Sequence, residues 1–484
     1  MRFFFRGRCG ALPAEGGGGN GGAERRNWSR GGETSPASRA IISSIMRTFT
    51  DYGVRIPEIL LPKTIDLKTW SVIACDQYTQ DRKYWESVAA AVSSKPSTLS
   101  LIFPEVYLGD GDGDERIKSI QNEMKSYIER GIFRAEEECV YIERETGYGR
   151  VRKGLVLAVD LERYDWRPGS KALIRATEAT VPERIPPRMR IRTGAALELP
   201  HIMLLANDPE NLLVGGSGEL AKKSNPVYDG DLMLGSGRIT GWALKGEAAE
   251  ECLERAIASL ASAGADKDGD VFLFAVGDGN HSLATAKAVW DEHKKSLSGP
   301  EFELSPVRYA LVEVVNIYDE GLTFEPIHRV IFNQDAGSLI LFIEERLGGE
   351  LKSFGSEKEL EDFVADKNAR GARYGFITMS RGEEKFCALE TEITDLAIAA
   401  LQPVLDEYLD ANSKDKKNDI DYIHGAEDVI RLGKKENTVA ILLPPIAKDS
   451  FFATIDGRGP LPRKSFSMGE ASEKRFYVEA RRLF

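Results

Sequence analysis

Short apolar runs alternate with amphipathic stretches along most of the chain. The apolar runs predict strands at 155–160, 201–206, 239–244, 271–276, 309–317, 374–379 and 438–443. Continuous runs of this length are typical of strands that are covered on both faces. Apolar residues at three- and four-residue spacing predict helices at 115–130, 247–263, 282–295, 336–347 and 396–409. We therefore expect an α/β fold built on a mixed sheet.

The pattern changes at two places and so suggests three parts. Residues 1–45 contain ten glycines and seven arginines against three glutamates, and they lack a signal-peptide core. We interpret 1–48 as a disordered extension, with organelle targeting by 1–45 left open and Met46 as an alternative start. A weaker interruption near 330–336 predicts one α/β domain over 49–335 and a second α/β portion over 336–484, whose C-terminal loop returns to the site.

Composition narrows the class of protein. The 484 residues carry a net charge of −12, which argues against a nucleic-acid-binding protein because phosphate contacts need an excess of Lys and Arg. No apolar run reaches membrane-spanning length. The five cysteines stand singly without CxxC spacing, so a zinc ribbon and a disulfide scaffold are not expected. These features predict a cytoplasmic protein.

The strongest local signal is a polar turn between a predicted strand and a predicted helix. Gly277-Asp278-Gly279-Asn280-His281-Ser282 follows the strand that ends at Val276. The first turn of a helix presents unpaired N–H groups and the positive end of the helix dipole, and glycines let a ligand approach the backbone. His281 would add a ring that donates to phosphate or exchanges a proton. A helix N-cap with a surface histidine is the alternative for this turn. It is neither a Rossmann fingerprint nor a P-loop.

This turn, GDGNHSLATA, resembles the DGHHRxxTA turn of the family of domains of unknown function 1015. Further segments resemble that family over roughly 50–475, namely VIACDQY (72–78), LIRATEATVPERIPPR (173–188), GLTFEPIHRVIF (321–332), LPPI (443–446) and LPRKSFSMGEA (461–471). The resemblance implies a core like that of the ParB/sulfiredoxin superfamily, which includes the free serine kinases and binds nucleotides at this turn. Asn280 and Ser282 stand where many relatives carry His and Arg, so another cation must replace that arginine.

Candidate cations and carboxylates lie in the other matched segments. Arginines are dense over 175–192, where three prolines predict an extended conformation, and Arg suits bidentate phosphate recognition. The candidates are Arg175 and Glu178 in that segment, His328 and Arg329 beside an apolar run, Lys464 on a Gly/Pro-rich loop, and Asp76 after a strand-like run at 70–74. A solvated loop is the alternative for Arg175 and Glu178, and an ordinary exposed strand end is the alternative for His328 and Arg329. Another Asp or Glu could serve in place of Asp76.

Two functions fit these residues. The first is phosphoryl transfer by a kinase or phosphatase acting on a small hydroxylated metabolite, such as serine or phosphoserine, with Mg²⁺ and ATP or ADP as expected cofactors. The turn residues Gly277, Gly279, Asn280, His281 and Ser282 would hold phosphate. Neutralising charge would come from Arg175, His328, Arg329 and Lys464, and proton transfer or Mg²⁺ binding from Asp76, Glu178 and Asp278.

The second function is a nucleotide-responsive binding module in the manner of ParB, without turnover. An enclosed positive pocket would favour the enzyme, and an open flat face would favour the module. A thiol-redox enzyme like sulfiredoxin is disfavoured, because Asn280 stands at the position of its cysteine. The substrate, the nucleotide, the metal and the oligomeric state stay open.

Overall fold

The computed structural model describes residues 48–64, 66–415 and 418–484. The predictions for the N-terminal extension, including organelle targeting, fall on residues outside this description. Among the described residues, no helix is both long and apolar enough to cross a bilayer.

Strands and helices alternate through this part of the chain. The strands are β1 Thr48–Phe49, β2 Val54–Arg55, β3 Ile59–Pro62, β4 Phe133–Glu136, β5 Cys139–Glu145, β6 Val151–Asp160, β7 Tyr164–Asp165, β8 Ile174–Ala176, β9 Leu197–Glu198, β10 Met203–Ala206, β11 Tyr228–Asp231, β12 Arg238–Leu244, β13 Phe274–Asp278, β14 Tyr309–Asn316, β15 Glu325–Phe332, β16 Glu350–Phe354, β17 Arg373–Ser380, β18 Glu383–Glu390, β19 Ile420–His424, β20 Thr438–Leu442, β21 Phe466–Ser467 and β22 Arg481–Arg482. The α-helices are α1 Leu67–Trp70, α2 Arg82–Val92, α3 Gly113–Glu129, α4 Ile185–Arg192, α5 Val214–Ala221, α6 Glu247–Ala263, α7 Asn280–His293, α8 Pro300–Leu304, α9 Ala336–Leu347, α10 Glu357–Val364, α11 Ala397–Asn412, α12 Ala426–Gly433 and α13 Lys448–Arg458.

The larger sheet is mixed, as predicted. Its main path runs β11–β12–β5–β6–β14–β10–β13–β8–β7, and β2 joins it at β6. The pairs β10–β14, β13–β8 and β7–β8 are parallel, whereas β10–β13 and the pairs on the β11 side are antiparallel. Every residue of β14 is buried, as expected for a strand covered on both faces. The α/β class with a mixed sheet is confirmed.

A second sheet lies C-terminal to the first in the chain. It is antiparallel, with the order β16–β18–β17–β20–β15–β19 and with β21 paired to β15. Because β15 belongs to this sheet, residues 325–332 join the C-terminal strands, although the sequence placed them before the predicted boundary at 335/336. The division into domains stays a prediction.

The C-terminal segment runs back to the first sheet and is held there by buried charges. The Arg475 guanidinium ion-pairs with Glu313 of β14 and lies 2.6 Å from Glu479, and all three side chains are buried. Upstream, Leu461 exchanges backbone hydrogen bonds with the strand-like segment after β8, donating to Thr177 O at 2.7 Å. These contacts fix residues 461–475 beside the N-terminus of α7.

The structure corrects three local predictions. Residues 185–192 form helix α4, so the expected extended conformation is wrong there. Pro186 and Pro187 occupy its first turn. The N–H groups of a first turn have no partner within the helix, so proline, which lacks an N–H, is tolerated there. As a result Arg184 and Arg188, four residues apart, lie on one helical face.

The other two corrections concern candidate site residues. Residues 70–74 are not a strand, because α1 ends at Trp70 and only Ile73 makes an isolated bridge, so Asp76 follows a turn. His328 and Arg329 lie neither at a strand edge facing a cleft nor at an exposed strand end. They lie within β15, which is paired on both sides, and both are buried.

Candidate functional site

The polar turn connects β13 to α7 and depends on two glycines. Gly279 is the N-cap of α7 and adopts a left-handed conformation with φ of 81°, which favours glycine. At Gly277 a Cβ would lie 2.8 Å from Leu205 and 2.9 Å from the Met468 sulfur, so only glycine lets the C-terminal loop pack here. Asn280 ties the turn to the neighbouring segment, its Oδ1 accepting from the Thr177 N–H at 3.3 Å.

The N-terminus of α7 opens into a cavity of about 890 Å³. Five cationic side chains line it, and they are Arg184, Arg188, Arg463, Lys464 and Lys474. Five carboxylates also line it, and they are Asp76, Glu105, Glu178, Glu183 and Asp278. The turn residues Gly277 to Ser282 form one wall, which brings backbone amides and both signs of charge to one place.

The five cationic side chains of this cavity differ in their contacts. Arg188 ion-pairs with Glu105, and Lys474 lies 3.3 Å from Asp278. The Lys464 ammonium lies 4.8 Å from the ring centroid of Tyr422 in β19, a cation–π contact. Within the described residues Arg184 and Arg463 form no ion pair, and both are exposed. Their charges are available to an incoming anion.

His281 faces this cavity as a neutral ring. Burial lowers its pKa to about 4, and the positive charges of Arg188 and Arg184 act in the same direction. Its Nε2 accepts a hydrogen bond from the Val181 N–H at 3.2 Å, which places the ring proton on Nδ1. At neutral pH His281 can therefore donate one hydrogen bond to a ligand but brings no charge.

Glu178 is the carboxyl group with a strongly raised pKa on the cavity wall. Burial raises its pKa to about 7, and nearby Asp278 adds to the shift. The Ser465 N–H donates to its Oε1 at 3.3 Å, which partly opposes the effect of burial. A carboxyl group that titrates near neutrality can accept and return a proton at working pH.

His201 lies deeper and contacts three side chains near the cavity. Its Nε2 is 2.9 Å from Ser282 Oγ and 3.6 Å from Asp76 Oδ2. Its Nδ1 is 2.8 Å from the hydroxyl of Tyr477. Tyr477 in turn accepts a hydrogen bond from the Cys75 N–H at 3.1 Å. The imidazole is thus held at both nitrogens.

Three predicted phosphate ligands lie outside the cavity. Arg175 is buried over the Phe272 ring and ion-pairs with Asp456 at 2.5 Å. The Arg329 guanidinium donates to Gln402 at 2.7 Å and lies over the Tyr422 ring.

His328, the third of them, also has a partner in the second sheet. Its Nδ1 accepts from the Leu443 N–H at 3.0 Å, and burial lowers its pKa to about 4. The structure therefore brings together Asp76, Glu178, Lys464 and the turn residues 277–282, but not Arg175, His328 or Arg329.

Sequence reasoning missed several residues at the site. His201 was assigned to a strand, and neither Tyr422 nor Lys474 was singled out. Arg184 and Arg188 belonged to the arginine-dense segment, and only a helical reading of 185–192 would have put them on one face. The contact between His201 and Ser282 joins residues 81 positions apart, for which a single sequence gives no signal.

Solved structures with low similarity cover much of the chain. A conserved hypothetical protein from Pyrococcus furiosus is 12% identical and covers 68% of this chain and 97% of its own, with a TM-score of 0.31. A free serine kinase in complex with AMP is 10% identical, covers 68% and 92%, and has a TM-score of 0.33. A C-terminally truncated SbnI from Staphylococcus aureus is 9% identical, covers 65% and 83%, and has a TM-score of 0.31. TM-scores this low support no inference about function.

The sequence matches a family model, whereas no curated protein matches it. The family described as "Protein of unknown function (DUF1015)" matches residues 60–408, which include the turn, the arginine-dense segment and the whole of β15. Because this match covers well over half of the chain, the protein belongs to the DUF1015 family.

Proposed function

We propose that the protein is a phosphoryl-transfer enzyme whose cavity binds the phosphate group of a small metabolite or nucleotide. One observation carries the proposal: cations from two distant segments, 184–188 and 463–474, meet over the N-terminus of α7. Gly279 has no side chain to cap that helix, so its first N–H groups can receive an anion. An anion there would interact with the helix dipole and with Arg184 and Arg463 together.

Phosphoryl transfer needs little from a protein beyond positioning and charge neutralisation. Arg184, Arg463 and Lys464 supply the charge, and the neutral His281 supplies one directional hydrogen bond from Nδ1. Glu178 takes the proton of the attacking hydroxyl, since its carboxyl group has a pKa of about 7. These roles fit a kinase or phosphatase acting on a small hydroxylated metabolite, with serine or phosphoserine as the first substrates to try.

A nucleotide and Mg²⁺ are the cofactors that fit this chemistry. Within the described part of the chain, no group of three or more His, Cys, Asp or Glu side chains is placed to hold a metal ion. Mg²⁺ commonly binds through one or two carboxylates and the phosphates of the substrate. Asp278 on the cavity wall is the carboxylate that would hold it, and the ion would supply charge neutralisation.

The shape of the site supports an enzyme over a nucleotide-responsive module. A cavity of about 890 Å³ is large enough to surround most of a nucleotide-sized ligand. A ligand in a cavity of this size displaces water from its walls, and electrostatic interactions strengthen as water is displaced. A module that only signals binding would not require a carboxyl group with a pKa near neutrality at the same place.

The proposal is tested by comparing phosphate affinity and turnover in the wild type and in Arg463→Ala. We expect calorimetry to show that the wild type binds inorganic phosphate and ADP, and that Arg463→Ala binds both about tenfold or more weakly. Arg370→Ala is the matched control, because Arg370 is an exposed arginine that does not line the cavity. Nucleotides with serine, and a panel of phosphomonoesters, would then be screened for turnover.

Two results would contradict this function. The first is phosphate affinity that is the same in Arg463→Ala, Lys464→Ala and the wild type. The second is the absence of turnover with every nucleotide and phosphomonoester, which would leave a binding protein.

A further inference from the structure

The side chains around His201 form a cluster that the proposed phosphate site does not use. His201 is buried, with 7% of its surface exposed, yet its Nε2 lies 2.9 Å from a serine on the cavity wall. That serine, Ser282, is in the first turn of α7 beside the amides that would bind phosphate. A hydroxyl hydrogen-bonded to an imidazole is the usual arrangement of an activated serine nucleophile.

The contacts of the ring determine which proton it can accept. Tyr477 holds Nδ1 at 2.8 Å, and the Tyr477 oxygen also accepts from the Cys75 N–H. When the Nδ1–H donates to Tyr477, the lone pair of Nε2 faces the Ser282 hydroxyl. Asp76 Oδ2 lies 3.6 Å from the same Nε2, so its negative charge stabilises the imidazolium that forms when the serine gives up its proton.

Ser282 is also reachable from two sides. It lines the large polar cavity and a smaller, mainly apolar chamber of about 140 Å³, whose walls include His201, Tyr477 and Ile202. A cavity of about this size holds a benzene-sized group in other proteins. Ser282 therefore lies between the two spaces. A phosphate in the large cavity and an apolar part of the same ligand in the small chamber would both reach it.

We propose that Ser282 is a covalent nucleophile in phosphoryl transfer, with His201 as its general base and Asp76 stabilising the protonated ring. This step rests on the proposed function, because the electrophile is the phosphoryl group bound in the large cavity. Ser282 Oγ forms a bond to phosphorus while the bond from phosphorus to the leaving oxygen breaks, and that oxygen keeps the electron pair. The hydroxyl proton passes to His201 Nε2.

The second half of the reaction restores the serine. Water or the hydroxyl of an acceptor metabolite attacks the phosphoserine, and Glu178 takes the proton of the attacking oxygen. The bond between phosphorus and Ser282 Oγ breaks, and His201 returns its proton to that oxygen. Glu178 then releases its proton to solvent, where the leaving oxygen of the first half takes one up. The net result is transfer of one phosphoryl group with the enzyme regenerated.

Diisopropyl fluorophosphate tests this step on the full chain without knowledge of the substrate. The reagent offers a phosphorus electrophile with fluoride as leaving group, so only an activated hydroxyl should react. We expect labelling at Ser282, located by peptide mass spectrometry, and none in Ser282→Ala. Ser338 is the internal control, because it lies in the first turn of α9 but bonds to the Asp335 carboxylate and not to a histidine.

Two further variants test the roles of the partners. His201→Gln should label about 100-fold more slowly, in line with the loss of a general base. If this buried substitution prevents folding, Asp76→Asn at the cavity wall decides the question, and we expect it to label about tenfold more slowly. No labelling at Ser282, or labelling of the folded variants at the wild-type rate, would overturn the proposal.

Phosphate binding separates this inference from the proposed function. If the wild type binds inorganic phosphate but Ser282 is not labelled, the covalent step is refuted and the phosphate site stands. If Ser282 is labelled but no phosphate binds, the proposed function is refuted, and the phosphoryl step falls with it.

Discussion

Replacing Glu178 by Gln should change how the stability of the protein depends on pH. In the folded chain burial raises the pKa of Glu178 to about 7 from an ordinary value of 4.5. Between these two values the folded state keeps a proton that the unfolded state has lost. The free energy of unfolding contributed by this group therefore falls as the pH rises through that window.

The size of the effect follows from the two pKa values. At about 1.4 kcal/mol for each pH unit, the charged form of Glu178 costs the folded state about 3 kcal/mol once the pH exceeds 7. A glutamine keeps the shape of the side chain, and its carbonyl can still accept the hydrogen bond from the Ser465 N–H. We expect Glu178→Gln to be more stable than the wild type by up to about 3 kcal/mol at pH 8 and equally stable near pH 4.

Urea unfolding followed by tryptophan fluorescence measures this difference at several pH values. The contributions of other titrating groups cancel when the two proteins are compared at the same pH. Glu183→Gln is the matched control, because it removes an exposed carboxylate from the same cavity and should keep the pH dependence of the wild type. Glu178→Gln should also lose turnover, as an amide cannot accept the proton of an attacking hydroxyl.

The reasoning fails if the stability difference between the wild type and Glu178→Gln is the same at pH 5 and pH 8. Such a result would mean that the carboxyl group is already ionised in the folded protein at acidic pH. Glu178 would then carry no proton at neutral pH, and its role as proton acceptor would lose its physical basis.

Three other substitutions separate structural residues from ligand-binding ones. Gly279→Ala forces alanine into the left-handed conformation, so we expect a loss of about 1 kcal/mol in urea unfolding and weaker phosphate binding in calorimetry. Arg475→Met leaves two buried carboxylates without their shared cation, and the free energy of unfolding should drop by about 3–5 kcal/mol. Arg175→Leu loses the ion pair with Asp456 and should cost about 2 kcal/mol, while phosphate affinity stays at the wild-type value, unlike in Arg463→Ala. A lower phosphate affinity in Arg175→Leu would contradict the position of Arg175 outside the cavity.

Much of the fold could be predicted from local sequence patterns. The helices at 247–263 and 336–347 were predicted with the bounds that the structure gives. In the first sheet, β6, β10, β12, β13 and β14 overlap predicted apolar runs, whereas β5, β7, β8 and β11 were not predicted. A glycine turn between a strand and a helix was also predicted, because it is a local feature, but it is shorter than the predicted 277–282: β13 extends to Asp278 and α7 begins at Asn280. Helical and strand periodicities act over a few residues, so one sequence is enough to reveal them.

The composition of the site could be predicted only in part. Lys464, Asp76 and Glu178 lie at the cavity as the sequence suggested, but Arg175 does not. Arg175 and Glu178 are an odd number of positions apart in an extended segment, and side chains in such a segment alternate between faces. Choosing which face meets the cavity requires knowing what packs on each side.

The sequence by itself determined the glycine-containing turn, the helix that follows it and the strand that precedes it. Only the tertiary structure decided which charges surround that turn, since Arg463 and Lys474 arrive from a C-terminal segment anchored by the buried Arg475. It alone also placed His201 against Ser282. The physical reason is that local periodicity fixes elements, whereas the meeting of distant side chains depends on how buried surfaces and buried charges are matched across the whole chain.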